Sequence, residues 1–387
     1  MSKYTYAILG AGRQGTAAAY DLAKFGDAQK IFMADIDKNN ADQAAKRINQ
    51  LVGRTVAESV QLDVSDRSAL DNLMPGVNVA LSAVPYFFNL EITKACLAAG
   101  SSLCDMGGHT GVVREQLAMD AEAKKAGISI VPDCGMGPGL NVTMGTYAKD
   151  LLDEPREVHI LDGGLPQEPI PPWNYQATFH INGLTNELDG QATFIRKGQV
   201  TPVDTLSEPE FIDFPPFGQL EADVTSGGLS TSPWTFESQL QEWTNKTLRY
   251  LGHFEWLRAF KELGLFSEEP IVVDDTEIIP RQVYHTLLEP KISAPEIRDV
   301  CLIRVIGHGL KEGKETTVTI DLIDYYDEET GFTAMERLTG WHCAIMMGFI
   351  ARGKVPAGGI SMEIAVPAEE FMNAVCERGI KFEVHYA

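Results

Sequence analysis

No run of eighteen apolar residues occurs in the 387-residue sequence, so no segment is long enough for a transmembrane helix. Cysteine is sparse and scattered. Cys96, Cys104, Cys134, Cys301, Cys343 and Cys376 form no CxxC pair and no Cys/His cluster. That argues for reduced thiols in a cytoplasmic protein and against a metal site of the zinc type. Positive charge is short as well: 32 Lys and Arg face 54 Asp and Glu, a net charge of −22. Neutralising phosphates needs Lys and Arg, so the balance speaks against nucleic-acid binding. A solvated acidic surface accounts for it, and attraction of a cationic substrate is a secondary reading. There is no internal repeat and no low-complexity segment. The opening Met-Ser-Lys-Tyr-Thr-Tyr runs directly into the first expected strand, leaving no room for a signal peptide.

What is present starts with Gly10-Ala11-Gly12-Arg13-Gln14-Gly15, between an apolar run and an alanine-rich helix expected over 14–24. A second apolar run, 31–34, ends on Asp35. Gly10 permits a tight turn, Gly12 lets backbone approach a pyrophosphate, and Gly15 allows close strand–helix packing. Arg13 and Gln14 open a helix whose N-terminal amides would face phosphate charge. Asp35 would accept hydrogen bonds from the adenine ribose diol and repel a 2′-phosphate. The expected cofactor is therefore NAD rather than NADP.

With 387 residues and an apolar fraction of 44%, the chain suits two or three domains with proper cores. Up to about residue 133 strand and helix patterns alternate. Strands are expected at 6–9, 31–34, 60–62, 77–83, 102–104 and 128–131, and helices at 41–51, 66–73, 89–99 and 114–126. Gly26, Gly100 and Gly127 follow helix ends, where a left-handed residue is favoured. The pattern predicts an α/β fold of Rossmann type, a doubly wound parallel sheet of about six strands. Ligands of such sheets bind beyond the carboxyl ends of the strands, where Asp35, Asp63, Ser82 to Tyr86 and Asp105 to His109 fall. After residue 135 the texture becomes that of a second, α+β domain with a largely antiparallel sheet. Its strands are expected at 158–161, 177–181, 246–250, 300–306 and 316–322, with helices at 254–263 and 281–288. A strongly apolar helix at 340–351 would return to the first domain. The expected division is 1–135 with 336–387 for the nucleotide domain and 136–335 for the substrate and oligomerisation domain.

Several segments can carry chemistry. Ser82-Ala83-Val84-Pro85-Tyr86 would lie beside the nicotinamide ribose, although proline also commonly ends a strand. Asp105-Met106-Gly107-Gly108-His109 would turn an acid and a histidine toward one point. His109 suits acid–base work near neutral pH, yet a lone histidine is often only a structural hydrogen-bonder. Pro132-Asp133-Cys134-Gly135-Met136-Gly137-Pro138-Gly139 reads as a shaped hinge, as backbone close to a cofactor, or as both. Ser226-Gly227-Gly228-Leu229-Ser230-Thr231 supplies hydroxyls and amides. In Thr247-Leu248-Arg249-Tyr250-Leu251-Gly252-His253, Arg249 suits bidentate grip of a carboxylate or a salt bridge.

Taken in order along nearly the whole chain, these motifs resemble the saccharopine dehydrogenase-like family, its lysine 6-dehydrogenase members above all. The likeness adds Lys246, the 281–290 region and the late helix before Arg352-Gly353 to the stretches above. It implies NAD-linked oxidation of an amine carbon: L-lysine to allysine and ammonia, hydride leaving C6, the aldehyde cyclising onto the α-amine. Catalysis would fall to His109, slightly preferred for its intrinsic pKa, or Asp133. Arg249 would hold the substrate carboxylate, with Thr231, His253 and Tyr86 in support. Gly10, Gly12, Arg13, Gln14, Gly15, Asp35, Asp63, Ser82, Val84 and Pro85 would hold the cofactor. Oxidation of saccharopine or a related N-substituted amino acid is the near alternative, because the same C6–N bond is oxidised. A non-catalytic NAD-binding regulatory protein is the alternative from another class. The expected partners are a small amino-acid substrate and a second copy of the chain, at least a homodimer, with neither nucleic acid nor membrane.

Overall fold

The computed structural model describes residues 3–294 and 296–387. They divide into two compact units. The first comprises the chain up to Leu151 with Leu229–Thr235 and Asp327–Lys381; the second comprises Leu152–Gly228, Phe236–Tyr326 and Phe382–Ala387.

In the first unit, apolar runs make a parallel sheet whose inner strands are buried on both faces. Its strands are β1 (Tyr4–Leu9), β2 (Ala28–Asp35), β3 (Ala57–Gln61), β4 (Val79–Ser82), β5 (Ser102–Asp105) and β6 (Ser129–Val131). They pair in parallel in the order β3-β2-β1-β4-β5-β6, and the short strand Gly358–Gly359 adds a seventh beside β6. This is the strand order of the doubly wound dinucleotide fold, with its switch point between β1 and β4. The Arg13–Phe25 helix buries Ala17, Ala18 and Ala19 completely. Against it lies the Ala334–Ala351 helix, brought close by Gly340. A Cβ at Gly340 would sit 2.7 Å from both Ala18 N and Gln14 O. That helix starts ahead of the expected residue 340 because Thr333 and Glu336 form a capping box.

Three local expectations are corrected. Gly26 has φ −87, and the left-handed residue is Asp27 at φ 51; Gly26 instead lies so close to Leu22 that a Cβ would fall 2.7 Å from its carbonyl oxygen. Gly100 and Gly127 are left-handed, at φ 73 and 71. The helix expected over 114–126 is two helices, Thr110–Ala118 and Asp120–Ala126, separated at Met119. The chain leaves the first unit at Leu151 rather than 135, because the Leu140–Asp150 helix packs on the Ala368–Glu377 helix.

The second unit holds a nine-stranded mixed sheet. Its strands are β7 (Glu154–Pro166), β8 (Gln191–Arg196), β9 (Gln199–Asp204), β10 (Glu210–Asp213), β11 (Gln219–Asp223) and β12 (Glu242–Tyr250). A separate hairpin, β13 (Ile271–Val273) with β14 (Thr276–Ile278), precedes β15 (Asp299–Lys311) and β16 (Lys314–Tyr325). The main path runs β10-β11-β12-β7-β15-β16 and ends on the Phe382–Tyr386 strand, while β8 pairs with β12 and β9. Only β12 and β7 run parallel; the remaining pairs are antiparallel. The C-terminal return is thus split, its last strand closing this sheet because Phe382–Tyr386 alternates in burial against β16.

The strand expected at 177–181 is absent. His180 Nδ1 accepts from Asn182 N–H and starts the Ile181–Glu187 helix at that point. This helix, His253–Glu262 and Pro280–Ile292 share an apolar cluster with Tyr175, Phe254, Tyr284 and Trp256. Among the described residues no helix is long and apolar enough to cross a membrane.

Candidate functional site

The glycine loop follows β1 directly. Gly10 has φ +105 and lies against the Ala83 carbonyl, where a Cβ would approach to 2.5 Å. At Gly15 a Cβ would run into the Gly10 carbonyl and reach Ile8 Cγ2 at 3.1 Å. Both glycines are required by the protein's own packing. Gly12 differs: nothing lies within 4 Å of a Cβ built there. It caps the Arg13–Phe25 helix with no side-chain hydrogen bond, and the first turn carries no acid. Bare helix N-terminal amides beside open space fit a pyrophosphate. Asp35 ends β2 and ties the loop down, Oδ2 accepting from Ala11 N–H at 2.9 Å and Oδ1 from Asp37 N–H at 2.9 Å. Arg13 reaches Glu336 at 3.9 Å. Asp63 is exposed past β3, where it accepts from the Ser65 amide and hydroxyl; those bonds hold its carboxyl below the ordinary range.

Ser82 ends β4 and donates to Asn89 Oδ1 at 2.7 Å within the core. Val84 and Pro85 then turn the chain past Gly10 into the Tyr86–Phe88 turn. The Tyr86 ring stacks on His109, centroids 5.3 Å apart and planes 16° apart. His109 is exposed and caps the Thr110–Ala118 helix, its Nδ1 accepting from Val112 N–H at 3.3 Å. A neutral imidazole that accepts at Nδ1 carries its proton on Nε2.

The acid and the histidine of Asp105-Met106-Gly107-Gly108-His109 do not converge. Asp105 points inward, its Oδ1 accepting from the amides of Gly107 at 2.8 Å and Asp133 at 3.0 Å, its Oδ2 from Gln116 at 2.8 Å. The two glycines make room for other groups. A Cβ at Gly107 would collide with the Asp133 carboxylate, and one at Gly108 would press on the Tyr86 ring at 3.1 Å.

Asp133 is the centre of this arrangement. It is buried, at 2% exposure, with a left-handed backbone, φ 61. Its Oδ2 accepts from the hydroxyl of Ser230, a residue itself left-handed at φ 48, while its Oδ1 has no hydrogen-bond partner among the described residues. Non-glycine residues in that region store strain of a kind that clusters at functional sites. Burial, then the charges of Asp105 and Glu363, push the Asp133 carboxyl up to about 8 against the opposing Ser230 bond. Glu363, also buried, accepts from Thr235 Oγ1 at 2.5 Å and Thr231 Oγ1 at 3.1 Å. Burial raises the pKa of Glu363 and of Asp105 as well. Three buried carboxyls, each with its pKa raised, favour a cation near them when ionised.

The segment bearing Asp133 is held from behind. His342 Nδ1 lies 2.8 Å from the Cys134 carbonyl oxygen and its Nε2 3.0 Å from Thr143 Oγ1. Burial depresses His342 to about 4, so it stays neutral. The Cys343 thiol donates to the same carbonyl.

Arg249 and His253 belong to the second unit. Arg249 is buried on β12 and donates to Glu187 Oε1 at 2.8 Å, with the guanidinium 5.3 Å from the Tyr175 ring centre and its Nε unpartnered. His253 is buried beside Tyr175 and Trp256, and burial, followed by the Arg249 charge, holds it well below the usual imidazole range. Thr231 belongs to the first unit, where its hydroxyl donates to Glu363.

Comparison with known sequences decides the family. The profile described as "Saccharopine dehydrogenase NADP binding domain" matches residues 6–131, and "Saccharopine dehydrogenase C-terminal domain" matches residues 135–380. The chain belongs to the saccharopine dehydrogenase family. Among relatives, the saccharopine dehydrogenase [NADP(+), L-glutamate-forming] of Pyricularia oryzae is 25% identical over 59% of this chain and 51% of its own length. The chain thus spans about half of that relative. The enzyme of the same description from Schizosaccharomyces pombe is 23% identical, over 89% of this chain and 93% of its own. The apo saccharopine dehydrogenase (L-Glu forming) from Saccharomyces cerevisiae superposes with a TM-score of 0.80 at 20% identity, covering 100% of both chains.

Within this saccharopine dehydrogenase-family fold, two participants escape the sequence motifs. Glu363 is a single acid in a short helix, Met362–Ala365, without any distinguishing neighbour. Ser230 stands in the quoted hydroxyl-rich loop, but nothing local singles it out from Ser226, whose hydroxyl goes to the Asn186 carbonyl.

Proposed function

We propose that the chain is an NAD-dependent dehydrogenase that oxidises the carbon bearing the ε-amine of L-lysine. The observation that carries this reading is Asp133: a buried carboxylate oxygen without a partner, beside two further buried acids, in the same unit as the glycine loop. A free lysine ε-ammonium matches that environment in charge, and its proton must be removed before hydride can leave C6. An ordinary carboxyl lies about six pKa units below a lysine ammonium, whereas one near 8 lies about two below. Asp133 is therefore suited to take the proton, its Oδ1 accepting while Ser230 holds Oδ2. The carboxylates of Asp105 and Glu363 would stabilise the iminium left at C6 and nitrogen. Hydrolysis of that iminium gives allysine and ammonia. Bound along the glycine loop, NAD would supply the hydride acceptor. The amides of Arg13 and Gln14 would face its pyrophosphate, and Asp35 its adenine ribose.

The relatives are named for NADP; here Asp35 and the exposed Ile36 favour a ribose without a 2′-phosphate. The nearest cation in sequence, Lys38, is engaged by Asp42 and Ser59. Saccharopine would bring two more carboxylates. Yet Arg196, Arg249, Arg258, Arg281 and Arg304 are each already ion-paired to an acid, which favours free lysine. The exposed apolar side chains Val272 and Leu287 support a homodimer, tested by the mass in solution from light scattering.

Initial rates with lysine, saccharopine and carboxynorspermidine, each with NAD and with NADP, test the reading. NADH formation on lysine alone is expected. Turnover confined to saccharopine would replace the substrate, and nucleotide binding without turnover of any amine would favour a regulatory protein.

A further inference from the structure

One group of side chains takes no part in the proposed reaction. Glu157, His159 and His308 lie on the second unit's sheet, with one ligand atom from each within 4.8 Å of the others. Their convergence follows from strand register. On β7, Glu157 and His159 are two residues apart and so project from the same face. On the antiparallel neighbour β15, His308 stands directly opposite Glu157. Side chains directly opposite are separated at Cβ by about 5 Å and diagonal ones by about 7 Å, within reach of imidazoles. A register shift between His308 and Gly309 adjusts the ladder at this point. The two imidazole centres are 6.0 Å apart, and His159 Nε2 lies 3.5 Å from Glu157 Oε2.

The flanking strands decide what the imidazoles offer. Thr244 of β12 pairs with His159, and Thr317 of β16 pairs with His308. Their hydroxyls meet the two rings at Nδ1, at 2.9 Å and 3.0 Å. When each Nδ1–H donates to its threonine, each Nε2 keeps its lone pair and faces the cluster. Metal-ligating histidines are held in this way, the second ring nitrogen donating to an oxygen. His159 and Glu157 retain partial exposure, 31% and 44%, so an ion has access.

We propose that Glu157, His159 and His308 bind a divalent transition ion of the zinc class, with Thr244 and Thr317 as the outer hydrogen-bond partners. Two imidazoles and one carboxylate are three ligands of a tetrahedral site, with the fourth position left to water. Bonds of about 2.1 Å imply ligand atoms about 3.4 Å apart, so closure needs only small side-chain rotations from the observed separations. The site joins β7 to β15 and is independent of the reading given to Asp133.

The experiment uses the full chain, freed of metal by dialysis. Zn²⁺ is titrated against a chromophoric chelator, and Co²⁺ is followed by its visible absorption. Uptake of one equivalent, with a tetrahedral or five-coordinate cobalt spectrum, is expected. His159→Ala and His308→Ala should abolish that spectrum, and His308→Gln, which keeps more of the side-chain volume, should do the same. Thr244→Val or Thr317→Val should weaken binding by about 10- to 100-fold. Zn²⁺ should raise the melting temperature of the wild type and not of the histidine variants. No uptake by the wild type, or an unchanged spectrum in folded His159→Ala and His308→Gln, overturns the proposal.

Discussion

The backbone N–H of Asp133 is donated to Oδ1 of Asp105, so the end of β5 fixes the second residue past β6. The bond is made by the amide, and the Asp133 carboxylate stays free for other work. Ser230 occupies one of its oxygens and burial isolates the other. A carboxyl so placed is oriented by neighbours that leave its proton site open.

Replacing Asp133 by Asn is expected to lower kcat for lysine oxidation by about 10²–10⁴-fold, the span typical of a general base. Wild-type kcat should rise with pH through a limb near 8, set by ionisation of this carboxyl. Steady-state rates between pH 6 and 10 check both. A limb that survives in Asp133→Asn would assign the base to another group.

The same shift makes a stability prediction. The folded-state pKa lies above that of the unfolded chain, so the protonated form is favoured by folding. The stabilisation is full below about 4 and is lost as pH rises through about 8. Asp133→Asn has no such charge to bury. Its melting temperature relative to wild type should therefore improve on going from pH 5 to pH 9. A constant difference across that range would contradict the raised pKa.

His109→Asn retains an N-cap of high preference. Because Nδ1 of His109 already accepts from Val112, this variant should keep kcat close to wild type. A fall comparable to that of Asp133→Asn would return the base role to the imidazole.

The glycines of the loop should separate cleanly. Gly12→Ala meets no atom of the protein and should fold normally while binding NAD more weakly, as read by fluorescence titration. Gly15→Ala meets the Gly10 backbone and should instead lower the melting temperature. Asp35→Ala is expected to weaken the preference for NAD, and Asp35→Ala with Ile36→Arg to turn it toward NADP. Tighter NADP binding by the wild type would refute the ribose assignment.

At the helix contact, Gly340→Val places side-chain atoms against Ala17 and Ala18. Overpacking of this kind costs about 1–3 kcal/mol, measurable by denaturant titration. An unchanged midpoint would show that the two helices separate without penalty.

Local chemistry was enough to read the Rossmann sheet. Its inner strands are short apolar runs that parallel pairing buries on both faces, and Gly10 and Gly15 lie where packing leaves no room for a Cβ. The apolar face of the 340–351 segment likewise required burial, and it lies on the Arg13–Phe25 helix. β8 to β11 escaped because short, half-exposed strands have a weak period. The segment at 177–181 looked extended until His180 capped a helix. The site was legible in its motif residues but not in its roles. His109 is the residue type expected of a base, yet its ring caps a helix; Asp133 acquires its raised pKa from burial beside Asp105 and Glu363. Those neighbours stand 28 residues away and in a separate late helix. The same holds for Glu157, His159 and His308, which antiparallel register alone brings together. Backbone conformation and apolar burial are decided within a few residues of sequence. Charge, proton affinity and ligand convergence depend on distances through space, and the tertiary fold decides them.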